Sequence, residues 1–135
     1  MRYLVRARLK LGREEALLEE IDSGELGRDS IAYPGYLRCM GEARLTGEGQ
    51  VRWLGVCYCR EAFGPGHELA EELPYWEEYF EAFDIRYARA LDRCEGYPHC
   101  GDCDCTEKLE AKLARTGRRF LKTLHNGMRK AKQAG

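Results

Sequence analysis

Hydrophobic and polar side chains alternate in several segments of the chain, and a period of two predicts β-strands. The clearest alternation predicts strands at residues 3–9, 36–45 and 51–59. Residues 46–50 contain two glycines and predict a hairpin turn between the second and third strands. Residues 84–91 are ambiguous between strand and helix. We interpret them as a fourth strand because this completes a regular order of elements.

Apolar residues at helical spacing predict two helices between these strands. The first covers residues 13–21, and the second covers about residues 67–82, where Pro74 can introduce a kink. Residues 22–35 are rich in Gly, Asp and Ser and predict a loop. The order of elements predicts an α+β, ferredoxin-like (βαββαβ) fold with both helices on one face of an antiparallel sheet.

The opening segment supports this fold class. Residues 3–17, YLVRARLKLGREEAL, resemble the start of dimeric α+β-barrel proteins, in which the first strand often ends in Lys-Pro-Gly and leads into a Glu-rich helix. Leu11 stands where proline is usual in that family. The resemblance implies a ferredoxin-like domain over residues 1–92. Some members are cofactor-free or haem-degrading monooxygenases, but none of their catalytic residues can be carried onto this sequence.

The rest of the chain, residues 93–135, is predicted to be an appendage that combines a cysteine-rich knuckle with a basic helical tail. We define the knuckle as residues 94–105, which hold four thiols broken by Gly, Pro and Asp. It ends in Cys-x-Cys-Thr at a helix start and so resembles a small uncharacterised bacterial family, a likeness that implies no activity.

The four knuckle thiols form a candidate metal site. Thiolates are soft ligands that suit zinc and iron–sulfur clusters, and four of them make a closed tetrahedral zinc site. The predicted ligands are Cys94, Cys100, Cys103 and Cys105. His99 is a reserve ligand, although its position next to Cys100 would strain the geometry. Two alternatives remain open: a loop of unpaired thiols, and a labile Cys100–Cys103 disulfide.

Strand topology adds two further reserve ligands. In a ferredoxin-like sheet the third and fourth strands flank the first and end at the same edge, roughly 10 Å apart. Cys57 and Cys59 lie at the end of the third strand, and Cys94 follows the fourth. The knuckle can therefore fold back toward Cys57 or Cys59, unless these are small core side chains. Cys39 is predicted to lie in the core.

Composition narrows the cellular context. The seven cysteines are an odd number and fit a disulfide framework poorly. The first residues carry arginines before any apolar run develops, unlike a secretory signal, and no segment has the apolar length of a membrane span. We therefore expect a cytoplasmic protein with reduced thiols and no membrane contact.

Charge is divided unevenly along the chain. Residues 108–135 hold nine Lys and Arg against one acidic residue, so the tail carries +8 and the remainder −9. We expect the tail to lie against the acidic body of its own chain or of a neighbour. A nucleic-acid-binding arm is the less favoured alternative.

An arginine-rich sheet face is the second candidate surface, comprising Arg6, Arg8, Arg38, Arg44 and Arg86. The same face carries Leu4 and Met40, and the predicted elements leave it uncovered. We expect a homodimer through this face, and an anionic ligand is the alternative.

The functional hypothesis is a small metal-binding or redox-linked accessory protein that acts with a protein partner. The alternatives are a thiol-dependent oxidoreductase, a small-molecule enzyme that uses the open face, and a nucleic-acid-binding regulator.

Overall fold

A five-stranded antiparallel sheet organises the computed structural model, which describes residues 2–28, 30, 33–56, 62–64, 66, 67, 69, 72–87 and 105–134. The strands are β1 (Arg2–Leu9), β2 (Arg44–Leu45), β3 (Val51–Val56), β4 (Phe80–Tyr87) and β5 (Arg118–Arg119). Their spatial order is β4-β1-β3-β2-β5, with every pair antiparallel. The α+β class expected from the sequence is therefore confirmed.

Five helices accompany the sheet in the described part of the chain. They are α1 (Glu14–Asp22), α2 (Tyr33–Glu42), α3 (Leu73–Glu77), α4 (Cys105–Leu113) and α5 (Phe120–Ala134). None of these helices combines the length and hydrophobicity needed to cross a membrane.

Strand β1 lies at the centre of the longest pairings. Tyr3 is opposite Gly55 of β3 on one side and Tyr87 of β4 on the other. The predicted adjacency of residues 3–9 and 51–59 is confirmed for the described strand, which ends at Val56. Because β3 and β4 are both antiparallel to β1, they run parallel to each other and end at the same edge of the sheet.

The predicted strand at residues 36–45 is wrong. Most of this segment is helix α2, and only Arg44–Leu45 form a strand. The alternating pattern would bury Gly41 and expose Met40, but Gly41 is exposed and Met40 is fully buried. The buried residues Tyr36, Cys39, Met40 and Ala43 follow the i, i+3, i+4 spacing of a helix.

The predicted helix over residues 67–82 is also wrong in its extent. Its described part contains only the five-residue helix α3, with Pro74 in the first turn, where proline is tolerated. Leu69 has a left-handed φ of 56°, which is incompatible with a continuous helix. Strand β4 then begins at Phe80 rather than residue 84.

Most of the helices pack on one face of the sheet. Tyr3, Val5 and Ala7 of β1 share the main core with buried residues from α1, α2, α3 and α5. The other face is not left open, since Leu109 and Leu113 of α4 pack against it. The expectation of an uncovered arginine-rich face is therefore wrong, and the homodimer inferred from it stays a prediction.

An aromatic cluster fills the centre of the main core. The ring centroid of Trp53 lies 5.0 Å from that of Trp76 and 4.9 Å from that of Phe80. Tyr36 packs against Trp76 at 5.1 Å, and Phe120 lies 6.1 Å from Phe80. The cluster therefore joins α2, β3, α3, β4 and α5 in tilted ring contacts of the kind that aromatic pairs prefer.

The basic tail is part of this fold. Strand β5 pairs with β2, and Phe120 and Leu124 of α5 are buried in the main core. Nε2 of His125 in α5 lies 3.0 Å from Oδ1 of Asp22 in the acidic helix α1. Gly117 has a left-handed φ of 56° and lies between α4 and α5, so it separates the two helices of the tail.

Replacing Gly117 with alanine should destabilise the fold. Its left-handed φ disfavours a side chain, and a β-carbon would collide with the backbone carbonyl of Leu45. We expect a loss of more than about 1 kcal/mol in the free energy of unfolding, measured by urea denaturation.

Gly41→Ala is the matched control, because Gly41 is an exposed residue of α2 with open space around its α-carbon. This change should stabilise the protein by roughly 0.5–1 kcal/mol, as alanine does in helices. Equal effects of the two substitutions would contradict the β2–β5 geometry.

Candidate functional site

The cysteine-rich knuckle enters the described structure only at its last residue. Helix α4 begins at Cys105, whose backbone is described. The other predicted ligands and reserve ligands lie outside the described residues: Cys94, Cys100, Cys103, Cys57, Cys59 and His99. The four-thiolate site therefore stays a prediction.

The sheet brings the segments that lead to these cysteines to one edge. Val56, the residue before Cys57, pairs with Arg2 at the start of β1. Tyr87, the last residue of β4 before the knuckle, pairs with Tyr3. The two exits therefore lie on either side of β1, about two strand spacings or roughly 10 Å apart.

Helix α4 is fixed to the sheet by apolar and polar contacts. Leu109 and Leu113 pack against Leu54, and Leu4 lies beside them. A bidentate ion pair between Arg38 and Glu110 adds to this contact. Arg38 of α2 donates to Glu110 of α4 through Nη2 at 2.6 Å and through Nε at 3.0 Å. Hydrogen bonding to Glu110 raises the pKa of Arg38, although burial of the guanidinium acts against it.

Two other predicted surface arginines share one carboxylate. Arg86 Nε donates to both oxygens of Asp84 at 3.2 Å, and Arg6 Nη1 lies 3.8 Å from the same group. All three residues are at least partly exposed, so these pairs contribute little to stability. One carboxylate thus offsets part of the positive charge of the two arginines.

The remaining two arginines bind backbone carbonyls. Arg8 donates to the carbonyl of Glu48 in the β2–β3 hairpin at 3.0 Å. Arg44 donates to the carbonyls of Thr116 and Gly117 at 3.0 and 3.2 Å. The five arginines thus have different partners: Arg38 pairs with Glu110, Arg6 and Arg86 share Asp84, and Arg8 and Arg44 donate to backbone carbonyls. They do not converge on one anion site.

No protein-family model, curated protein or solved structure matches the chain.

Metal-ligating side chains do not cluster in the part of the chain that the structure describes. Within those residues, no group of three His, Cys, Asp or Glu side chains can hold a metal ion.

Cys39 lies in the main core, as predicted. Its Sγ donates to the carbonyl oxygen of Leu54 at 3.2 Å, and 7% of the residue is exposed. Burial raises the pKa of the Cys39 thiol, and the nearby carboxylate of the buried Glu72 raises it further. Burial likewise raises the pKa of the neighbouring Tyr36 to about 12. These conditions keep Cys39 protonated, so it is a poor nucleophile and a poor metal ligand.

The sequence did not predict a cleft that lies at the end of the sheet away from the strand exits that lead to the knuckle. Residues from β1, β2, β3, β4, α1 and α5 line it, so its parts are spread over most of the chain. Two local signals point to it. Gly127 falls within the apolar face of a helix, where a larger residue would normally pack, and Leu11 is a large apolar residue next to a turn glycine.

The raised pKa of Cys39 predicts a loss of stability at alkaline pH. An exposed thiol in the unfolded chain ionises near pH 9, whereas the buried thiol stays protonated. Since the unfolded state then binds fewer protons than the folded state, stability is fully present below pH 9 and declines above it. Each pH unit above that point should remove up to about 1.4 kcal/mol.

Urea unfolding in reducing buffer between neutral pH and about pH 10.5 measures this decline. Cys39→Ala removes the titrating group, so its stability should fall less steeply than that of the unmodified protein. Parallel curves for the two proteins would show that Cys39 is not the source.

Proposed function

We propose that this chain is a metal-binding accessory protein in which the knuckle holds one zinc ion. Cys94, Cys100, Cys103 and Cys105 supply four soft thiolates, a donor set that fits a closed structural zinc site. An iron–sulfur cluster would use the same donors. The metal would order the knuckle and strengthen its attachment to the sheet, without catalysis of its own.

The anchoring of α4 is the observation that carries this proposal. Helix α4 begins at Cys105 and is held to β1 and β3 by Leu109 and Leu113, and to α2 by the Arg38–Glu110 pair. A closed metal site needs rigid supports on both sides of its ligand loop. Strand β4 provides such a support before the knuckle, and α4 provides the other after it.

The strand exits give further support for the reserve ligands. Cys57 follows β3 directly, at the same sheet edge from which β4 leads toward Cys94. Because β3 and β4 end at the same sheet edge, a ligand from Cys57 would require no change in the strand pairing. Cys57 would serve as a ligand if Cys103 and Cys105, which are separated by one residue, do not both bind the ion.

We also infer that the first four strands follow the ferredoxin-like plan. Strand β1 lies between β3 and β4, and β2 lies beyond β3, which is the arrangement this plan requires. Helix α2 is then an additional element between β1 and β2, and β5 an additional strand at the sheet edge.

Metal content tests the zinc proposal. Protein purified in reducing buffer without chelator should contain about one zinc per chain by elemental analysis, or show the brown absorption of an iron–sulfur cluster. Cys100→Ser should lower the metal content. Cys39→Ser is the matched control, because Cys39 lies in the core and serine keeps a donor toward Leu54, so its metal content should be unchanged.

Two results would count against the proposal. The first is a reduced protein that carries no metal, and the second is equal loss of metal in the Cys39 and Cys100 variants. A disulfide formed within the knuckle, detected by mass spectrometry of tryptic peptides, would favour the thiol oxidoreductase instead.

Nucleic-acid binding is the second candidate function, and an exposed basic edge favours it. We define the basic edge as Arg115, Arg118, Arg119 and Lys122, all of which are exposed. None of the ion pairs within the described residues involves these side chains. Two of them occupy β5, at one side of the sheet, where a nucleic-acid backbone has access.

Salt dependence tests this candidate. Binding of a duplex DNA should weaken steeply with salt, and replacing Arg118 and Arg119 with Gln should reduce the logarithmic salt slope by roughly two. Removing two charges elsewhere, with Arg28→Gln and Arg86→Gln, is the control and should leave the slope almost unchanged. Equal changes in slope for the two double variants would exclude the basic edge as the binding surface.

A further inference from the structure

A cleft of about 470 Å³ opens where β1 ends, on the side of the sheet away from the strand exits that lead to the knuckle. Its volume falls in the range of small-molecule binding sites in proteins. The floor is apolar and is formed by Leu9, Leu45, Val51, Phe120 and Leu124. The elements that supply this floor also form the main core, so its shape is set by the fold.

The mouth of the cleft exposes a large apolar side chain. Leu11 lies in the turn after β1, lines the cleft and is 96% exposed. An occupant with an apolar body would cover Leu11 as well as the floor, which is favourable because both leave water.

A distortion in β4 places a carboxylate at the rim. Arg6 is opposite Asp84, so regular pairing would put Ala82 opposite Arg8, but the register shifts and Glu81 takes that position. Ala82 adopts a left-handed φ of 56°, which is unusual for a residue with a side chain. Such bulges often redirect a side chain beside a binding site. Here the bulge keeps Phe80 in the core and brings Glu81 beside Arg8.

The charges at the rim favour a cation. Glu14 at the start of α1 and Glu81 of β4 both line the cleft, and no ion pair within the described chain involves either carboxylate. Arg8 is the basic group among the lining residues, and its Nη1 is already hydrogen-bonded to the carbonyl of Glu48. Two carboxylates and one partly engaged guanidinium therefore line a cleft whose floor is apolar.

We propose that this cleft binds a small amphipathic amine. The apolar body of the ligand lies on the floor beneath Leu11, and its ammonium group contacts Glu14 and Glu81. Thr123 of α5 also lines the cleft, and its Oγ1, which donates to the carbonyl of Arg119 at 2.9 Å, can accept a hydrogen bond from the same head group. Amine binding in the cleft does not depend on the metal proposed for the knuckle.

Three probes with one apolar body and different heads test the ligand class: 4-phenylbutylamine, 4-phenylbutanol and 5-phenylpentanoate. Calorimetric titration of the full chain should give binding of the amine that is at least roughly tenfold tighter than that of the alcohol, because a bond between charged groups is stronger than a neutral one. Glu81→Gln should remove most of that difference. The probe with the carboxylate head should bind more weakly than the alcohol probe.

Gly127 provides a steric test with a matched control. Gly127 lines the cleft, and the position that a β-carbon would take there is open. Gly127→Leu therefore fills the cleft from within helix α5. Gly41 has the same open surroundings within α2 but lies away from the cleft. We expect Gly127→Leu to abolish amine binding and Gly41→Leu to leave it unchanged, with circular dichroism showing that both variants fold.

Amide chemical shifts of the unmodified protein give a second measurement that needs no variant. Titration with the amine should shift Leu9, Gly49 and Gly127 more than residues on β5. Three results would each overturn the proposal: no binding of the amine at millimolar concentration, equal affinity for the alcohol, or undiminished binding by Gly127→Leu.

Discussion

The packing of Trp53 against Trp76 and Phe80 is the interaction on which the rest of the fold depends. Trp53 is 1% exposed and lies in β3 directly opposite Val5 of the central strand. Trp76 comes from α3 and Phe80 from the first residue of β4, so this contact holds β4 against β1 although the two are distant in sequence. Large aromatic side chains in the centre of a core make such contacts costly to lose, typically about 3–5 kcal/mol when truncated to alanine.

The second face of the sheet follows a different principle. Within the described residues its cover is helix α4, attached by a small apolar cluster and by the Arg38–Glu110 pair. The surrounding arginines pair with one carboxylate or donate to backbone carbonyls. The attachment is lighter than the main core, so α4 should open at a lower free energy than the strands beneath it.

The sequence predicted the elements whose pattern is unambiguous. Alternation in residues 3–9 and 51–56 and helical spacing in residues 13–21 all recur in the structure. The prediction was wrong for segments in which both the strand period of two and the helical period fit the pattern of apolar residues. In residues 36–45 every second residue is apolar or small, yet Tyr36, Cys39 and Met40 form a buried helical stripe, because α2 packs on β3 in the main core. In residues 67–82 apolar spacing predicted one helix, whereas Leu69 and Pro74 limit it to a short turn before β4.

The candidate sites show the same limit in another form. The knuckle could be recognised from sequence because its four cysteines are close along the chain. The cleft leaves two local signals, Gly127 and Leu11, but its lining comes from six elements and includes Glu81 beside the bulge at Ala82, so no sequence pattern predicts it as a whole. Functional residues that lie close along the chain can be recognised in a sequence. A site whose residues come from distant elements can be recognised only when the strand pairing is known.

The cleft and the strand exits that lead to the knuckle lie at opposite ends of β1, and this separation has a physical consequence. Arg2 and Tyr3 mark the edge from which the chain leads to the knuckle, and Arg8 and Leu9 line the cleft, roughly 20 Å away along the strand. The chain also connects them through α4, β5 and α5, but β5 is paired to β2 and Gly117 fits closely against Leu45. The β2–β5 pairing limits the effect of α4 on α5, because a shift of α4 would have to break this pairing before it could move α5. Changes at the knuckle should therefore loosen α4 while the cleft keeps its shape, since β1, β3 and α5 share the main core and α4 packs outside it.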